Sequence, residues 1–185
     1  MAKNKTPDKF TELGMKVTNF DACAHASLNI NLLTKPPIFY QDYDLAQEHY
    51  LSLKITAESI YPSGKVGDIY ELEIIGKEMH RGDFLRTLND YHDLDENGHR
   101  LYKKYRGKEI PVYKAPPGIA TLSKRRGERI WDAFLWLAPN LVTDMLTILM
   151  KFDEVYISIL EYRKERTSWI RDFSLQTTDP IMDFE

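Results

Sequence analysis

Residues 51–75, LSLKITAESIYPSGKVGDIYELEII, decide how the fold is read. Leu51, Leu53, Ile55 and Ala57 alternate with Ser52, Lys54, Thr56 and Glu58, which is the period of a half-buried strand. Tyr61-Pro62-Ser63-Gly64 is turn chemistry, because proline fixes φ and glycine permits a positive one. Tyr70, Leu72 and Ile74 then alternate with Glu71, Glu73 and Ile75. The link is too short for a crossover, so the two strands are expected to pair antiparallel.

Outward from this hairpin the same period returns. Val155, Ile157 and Ile159 alternate with Tyr156, Ser158 and Leu160, and Thr167, Trp169, Arg171, Phe173 and Leu175 share one side of a further run. Leu28, Ile30 and Leu32 suggest a strand over 27–33, stopped by Lys35-Pro36-Pro37. Residues 42–50 read as a helical turn, and 76–100 as a polar connection with a short helix at 83–88. The apolar run 130–150 carries Asp132, Asp144, Asn140 and Pro139. Each central Asp costs about 2.5–3.5 kcal/mol on an insertion scale, which argues against a membrane span. Ile130, Phe134 and Leu137 recur at helical spacing, with Trp131 and Leu135 widening the stripe. Pro139 ends that element and suits the first turn of another. A buried helical pair, 126–138 and 140–151, is therefore expected.

The expected fold is α+β: one domain over 13–176, with strands at 27–33, 51–60, 66–75, 154–162 and 167–175. They would form an antiparallel sheet or a small, partly open barrel of about five strands, the helical pair at about 126–151 packed on it. No βαβ rhythm favours a doubly wound sheet. Five strands permit an oligonucleotide-binding barrel by analogy. Residues 1–12 read as a flexible leader, 99–129 as a basic insertion and 177–185 as a flexible acidic tail. A chain of 185 residues with 43% hydrophobic residues can bury a core without staples. Cys23 is the only cysteine, which excludes intrachain disulfides and cysteine-rich zinc sites. The first residues lack the apolar centre of a signal peptide, so the cytoplasm is the expected compartment.

Charge supplies the functional reading. Residues 99–131 hold ten cations against Glu109 and Glu128, so this window carries +8 while the chain as a whole carries −3. Tyrosines lie among the cations. A polyanion needs repeated cations, and unpaired bases offer faces to aromatic rings. The expected activity is sequence-tolerant binding of single-stranded nucleic acid, including single-stranded DNA. Lys103, Lys104, Arg106, Lys108, Lys114, Lys124, Arg125 and Arg126 would neutralise phosphates, and Tyr102, Tyr105 and Tyr113 would stack. The bland alternative is a solvated basic surface with the tyrosines in the core. A second functional reading is a non-enzymatic adaptor or subunit that docks on an acidic protein through the same window.

A third reading is a small metal-dependent hydrolase centred on His92, Asp93, Asp95 and His99, whose imidazoles and carboxylates suit divalent ions. Residues 93–98 open like a calcium loop, but Lys104 stands where a bidentate Glu is required, so an Asn-Gly turn is the simpler reading. Ser63-Gly64-Lys65 lacks most of a phosphate loop. No resident metal, cofactor or catalytic residue is expected, and the oligomeric state is open. The end of the chain, Asp179-Pro180-Ile181-Met182-Asp183-Phe184-Glu185, is similar over fewer than ten residues to the acidic, Phe-containing tip of bacterial single-stranded-DNA-binding proteins. It departs from that tip in ending on Glu185, and no family follows from it.

Overall fold

The computed structural model describes residues 9–28, 47–77, 92–114 and 117–180. In chain order the strands are β1 (Lys9–Leu28), β2 (Gln47–Tyr61), β3 (Ile69–Lys77), β4 (Tyr102–Tyr105), β5 (Lys108–Pro111), β6 (Ala120–Lys124), β7 (Ile130–Leu137), β8 (Tyr156–Lys164) and β9 (Thr167–Gln176). Among the described residues a single α-helix, α1 (Pro139–Lys151), lies between β7 and β8. Two compact units result: Met1–Glu78 with Gly118–Glu185, and Met79–Pro117.

The first unit is a closed barrel in the order β1-β2-β3-β7-β6-β9-β8. β2 and β3 form the expected antiparallel hairpin, with Leu53 opposite Ile74 and Ile55 opposite Leu72. β8 and β9 form the other, joined through Glu165 in the left-handed region at φ 56°. β3 and β7 run parallel, so the sheet is mixed. Leu13, Met15, Leu53, Ile55, Leu72, Ile74, Leu135, Ile157, Ile159 and Ile170 are almost wholly buried and fill the interior. Burying each such side chain stabilises the fold by about 1.5–3 kcal/mol. α1 packs against β2 and β3, and Val142, Met145 and Leu149 join the core. Gly76 on β3 permits this approach: a Cβ there would stand 3.0 Å from Val142 Cγ2 and 3.2 Å from Pro139 Cα.

The α+β expectation with about five strands and a helical pair is therefore corrected. Residues 140–151 are helical as expected, with Pro139 in the first turn. Residues 130–137 are not. They form β7, hydrogen-bonded between β3 and β6. Ala133 and Leu135 point inward, whereas Asp132, Phe134 and Trp136 point outward. Large apolar residues on both faces hide a two-residue period, and the helical spacing of 130, 134 and 137 then competes with it.

β1 was also hidden. It begins at Lys9, inside the stretch read as leader, and pairs with β8 over 9–16 and with β2 over 14–28. Register shifts at Gly14/Met15 and Val17/Asn19 break its alternation, and a slip of one residue exchanges the faces. Of the expected strand 27–33, residues 27 and 28 close β1 and the rest lie outside the described residues. So do the helix expected at 83–88, residues 42–46 of the helical turn and residues 181–185 of the tail. Residues 47–50 are strand. Pro180 is buried, and a Cβ on Gly14 would come within 2.9 Å of its ring. No helix among the described residues is long and apolar enough to cross a membrane.

Candidate nucleic-acid interface

The unit Met79–Pro117 is built on the antiparallel hairpin β4–β5. Arg106 and Gly107 join the strands with φ of 49° and 78°, as a two-residue turn of the twisted hairpin type requires. In this register Tyr102 and Lys104 share a face with Glu109 and Pro111, while Lys103 and Tyr105 share the other with Lys108 and Ile110. Tyr102, Tyr105 and Tyr113 are 50, 56 and 40% exposed, so the reading that places them in a core fails. Among the described residues no carboxylate forms an ion pair with Lys103, Lys104, Arg106, Lys108 or Lys114.

His92 organises two of the rings. Its centroid lies 5.0 Å from that of Tyr102, edge-on, and 5.3 Å from that of Tyr113. Nε2 donates to the Leu101 carbonyl at 3.0 Å, which fixes the ring. Asp95 Oδ1 accepts from the backbone N–H of Asn97 and of His99 at 2.8 and 2.9 Å. That carboxylate closes a turn, with Gly98 at φ 80°, in place of the calcium loop the spacing imitates. Among the described residues no group of three or more His, Cys, Asp and Glu side chains is placed to hold a metal ion.

Lys124, Arg125, Arg126 and Arg129 belong to the barrel unit. Lys124 lies 5.5 Å from the Trp131 ring centre. Arg125 is held by Asp132 and Glu71, and Arg126 is exposed. The hydrogen bonds from Arg125 to Asp132 and to Glu71 raise its pKa further above an already high value. Arg129 and Trp131 donate to the buried Asp68 at 2.7 and 3.1 Å. Burial alone would raise the Asp68 carboxyl; these two donors and the charges of Arg129 and Lys124 outweigh it, so the pKa is lowered. Lys65, in the link between β2 and β3, binds the buried Glu161 at 2.7 Å and sits 4.3 Å from the Trp131 ring centre.

Comparisons with family models, with curated proteins and with solved structures found no match.

A second surface was missed entirely in the sequence. The outer face of β1, β2, β3, β7 and β6 carries a long concavity. One stretch of about 590 Å³ is lined by Lys54, Thr56, Glu71, Glu73, Arg125, Asp132 and Phe134, among others. A second, of about 430 Å³, shares Lys54, Glu73 and Phe134 and adds Asp21, Tyr50 and Trp136. The register lays these side chains in rows across the strands: Asp21, Lys54, Glu73, Phe134 in one, and Cys23, Ser52, Ile75, Trp136 in the next. The signal lay in 131–137, where Asp132 shares its phase with Phe134 and Trp136. An acid in step with two rings marks an outward face.

Proposed function

We propose that this protein binds single-stranded nucleic acid in the cytoplasm, using the hairpin β4–β5 and its flanks. One observation carries the reading: Tyr102, Tyr105 and Tyr113 stand exposed among five cations that have no ion-pair partner among the described residues. Lys103, Lys104, Arg106, Lys108 and Lys114 neutralise phosphates, and the tyrosines stack on bases whatever their identity. Arg125 is no phosphate ligand, because two carboxylates already balance it.

Titration of a fluorescent oligonucleotide at rising salt tests this. Four or five neutralised phosphates predict a slope of about −3 in log affinity against log salt, using roughly −0.7 per phosphate on a single strand. Lys103→Glu with Lys104→Glu should flatten it. Binding that ignores salt, or no binding at low salt, removes the proposal.

The second reading, an acidic protein as partner, gains support from Leu94 and Leu101. Both are exposed in the same unit and offer apolar anchors that a phosphate backbone does not need. Under it an acidic peptide, and not an oligonucleotide, competes for the surface.

A further inference from the structure

We propose that the outer face of the barrel also contacts single-stranded nucleic acid, and that it favours bases with an exocyclic amine over thymine. This rests on the single-strand reading above and adds a preference that the tyrosine hairpin lacks.

Phe134 and Trp136 carry the inference. They are 44 and 38% exposed on adjacent outward positions of β7, packed edge to face with centroids 5.2 Å apart. Further along the face, His25 and Tyr50 stack with centroids 4.9 Å apart. Rings presented in succession on a rigid sheet, above an open trough, suit a run of unpaired bases.

The charges beside the rings decide which part of the strand enters. Glu71 and Asp132 are satisfied by Arg125. Among the described residues Asp21 and Glu73 hold no hydrogen bond or ion pair, and Lys54 lies between them in the register without pairing to either. An ionised carboxylate only accepts hydrogen bonds. A phosphate would be repelled by Asp21 and Glu73, so it stays at the rim while the base turns inward. Glu73 sits directly across from Phe134, so a base stacked on that ring places its edge over this carboxylate. Adenine, cytosine and guanine offer an amino group there. Thymine offers one N–H between two carbonyl oxygens, which the carboxylate repels.

The test uses the full chain, tryptophan fluorescence and dodecamers of dC, dA and dT at one salt concentration. dC and dA should bind roughly tenfold more tightly than dT and quench tryptophan emission. Phe134→Ala should weaken dC binding by about tenfold. Glu73→Gln, which can donate as well as accept, should bring dT to within twofold of dC at an unchanged melting temperature. Equal affinities for all three, unaffected by either variant, overturn the barrel-face proposal; loss of that binding in Lys103→Glu with Lys104→Glu would then leave the hairpin reading standing. If binding survives that double variant and is lost in Phe134→Ala, the hairpin reading fails and the barrel face remains. No binding of any oligonucleotide ends both.

Discussion

Both carboxylate oxygens of Asp132 accept from Arg125, Nε at 2.8 Å and Nη2 at 2.6 Å, and the same Nη2 reaches Glu71 at 2.6 Å. Glu71 and Asp132 stand opposite each other on the parallel pair β3–β7. Like charges in that position repel, and the guanidinium between them turns a repulsive pair into a three-way link. The residue that reads as a phosphate ligand in a string of cations is therefore a tie between strands.

Replacing Arg125 with Ala should lower the melting temperature and leave the salt dependence of oligonucleotide binding unchanged. Adding Glu71→Gln to that variant should restore part of the loss, because it removes the repulsion left behind. Thermal melts and salt titrations of the two variants check this. A binding defect at an unchanged melting temperature would return Arg125 to the interface.

Asp68 predicts an acid limb. Its carboxyl is held below the ordinary 3.8, because the donors Arg129 and Trp131 outweigh the effect of burial. A depressed folded pKa gives stability that is present above the unfolded value and lost as pH falls through the folded one. Asp68→Asn should cost about 1–3 kcal/mol at neutral pH. The gap to the parent should narrow as pH falls below the ordinary carboxyl value of 3.8, where Asp68 takes up its proton in the unfolded chain before the folded one. Urea unfolding at pH 7 and pH 3 measures both, and an equal gap at the two would show that the charge of Asp68 is immaterial.

The hairpin β2–β3 was legible because it shows one apolar and one polar face with a short link. β8–β9 was legible as a pair of strands, although a register shift turns Ser168 and Ile170 inward, so Thr167, Trp169, Arg171, Phe173 and Leu175 do not share one side. The place of both hairpins in a closed barrel was not legible. Closure depends on β3 meeting β7 in parallel, a pairing between segments about sixty residues apart that no local period announces. β7 was misread because Phe134 and Trp136 occupy outward positions, where polar residues would have exposed the alternation. β1 was misread because bulges shift its phase. The cation window was legible as composition, whereas the exposure of its tyrosines was not, because an aromatic ring among cations suits a core as well as a surface. Counting charges could not separate Lys103 from Arg125, since the carboxylate of Glu71 lies 54 positions away in sequence.

Gly118 marks the point where the chain enters the barrel before β6. Ile119 N–H donates to the Ile170 carbonyl at 2.7 Å, and a Cβ on Gly118 would clash with that same oxygen and stand 2.8 Å from Trp169 Cβ. Backbone cannot move aside as a flexible side chain can. Gly118→Ala should cost about 1–3 kcal/mol, the scale of overpacking, and should speed amide exchange at Ile119. Gly64→Ala is the control, since nothing lies within 4 Å of its Cβ position. Equal stability of the two variants would refute the close approach.

Tyr70 gives the last prediction, in the opposite direction. Its side chain is fully buried, stacked 6.1 Å from Trp131, and its hydroxyl has no hydrogen-bond partner among the described residues. A buried hydroxyl without a partner costs about 1–3 kcal/mol relative to water, and phenylalanine keeps the ring while removing that cost. Tyr70→Phe should therefore raise the stability of the barrel at neutral pH. The alkaline limb should change as well. Burial, then the charges of Glu161 and Asp68, push the Tyr70 pKa up, so its neutral form favours the fold below the ordinary value of 10.0. That contribution is lost as pH rises further, because the unfolded tyrosine ionises first. The parent should weaken above about pH 10, and Tyr70→Phe should weaken less. Urea unfolding of both proteins at pH 7 and pH 10.5 reads the two effects. A destabilised Tyr70→Phe at neutral pH would mean that the hydroxyl is bonded after all, and that the polar cluster of Asp68, Glu161 and Tyr70 encloses a water molecule that holds it together.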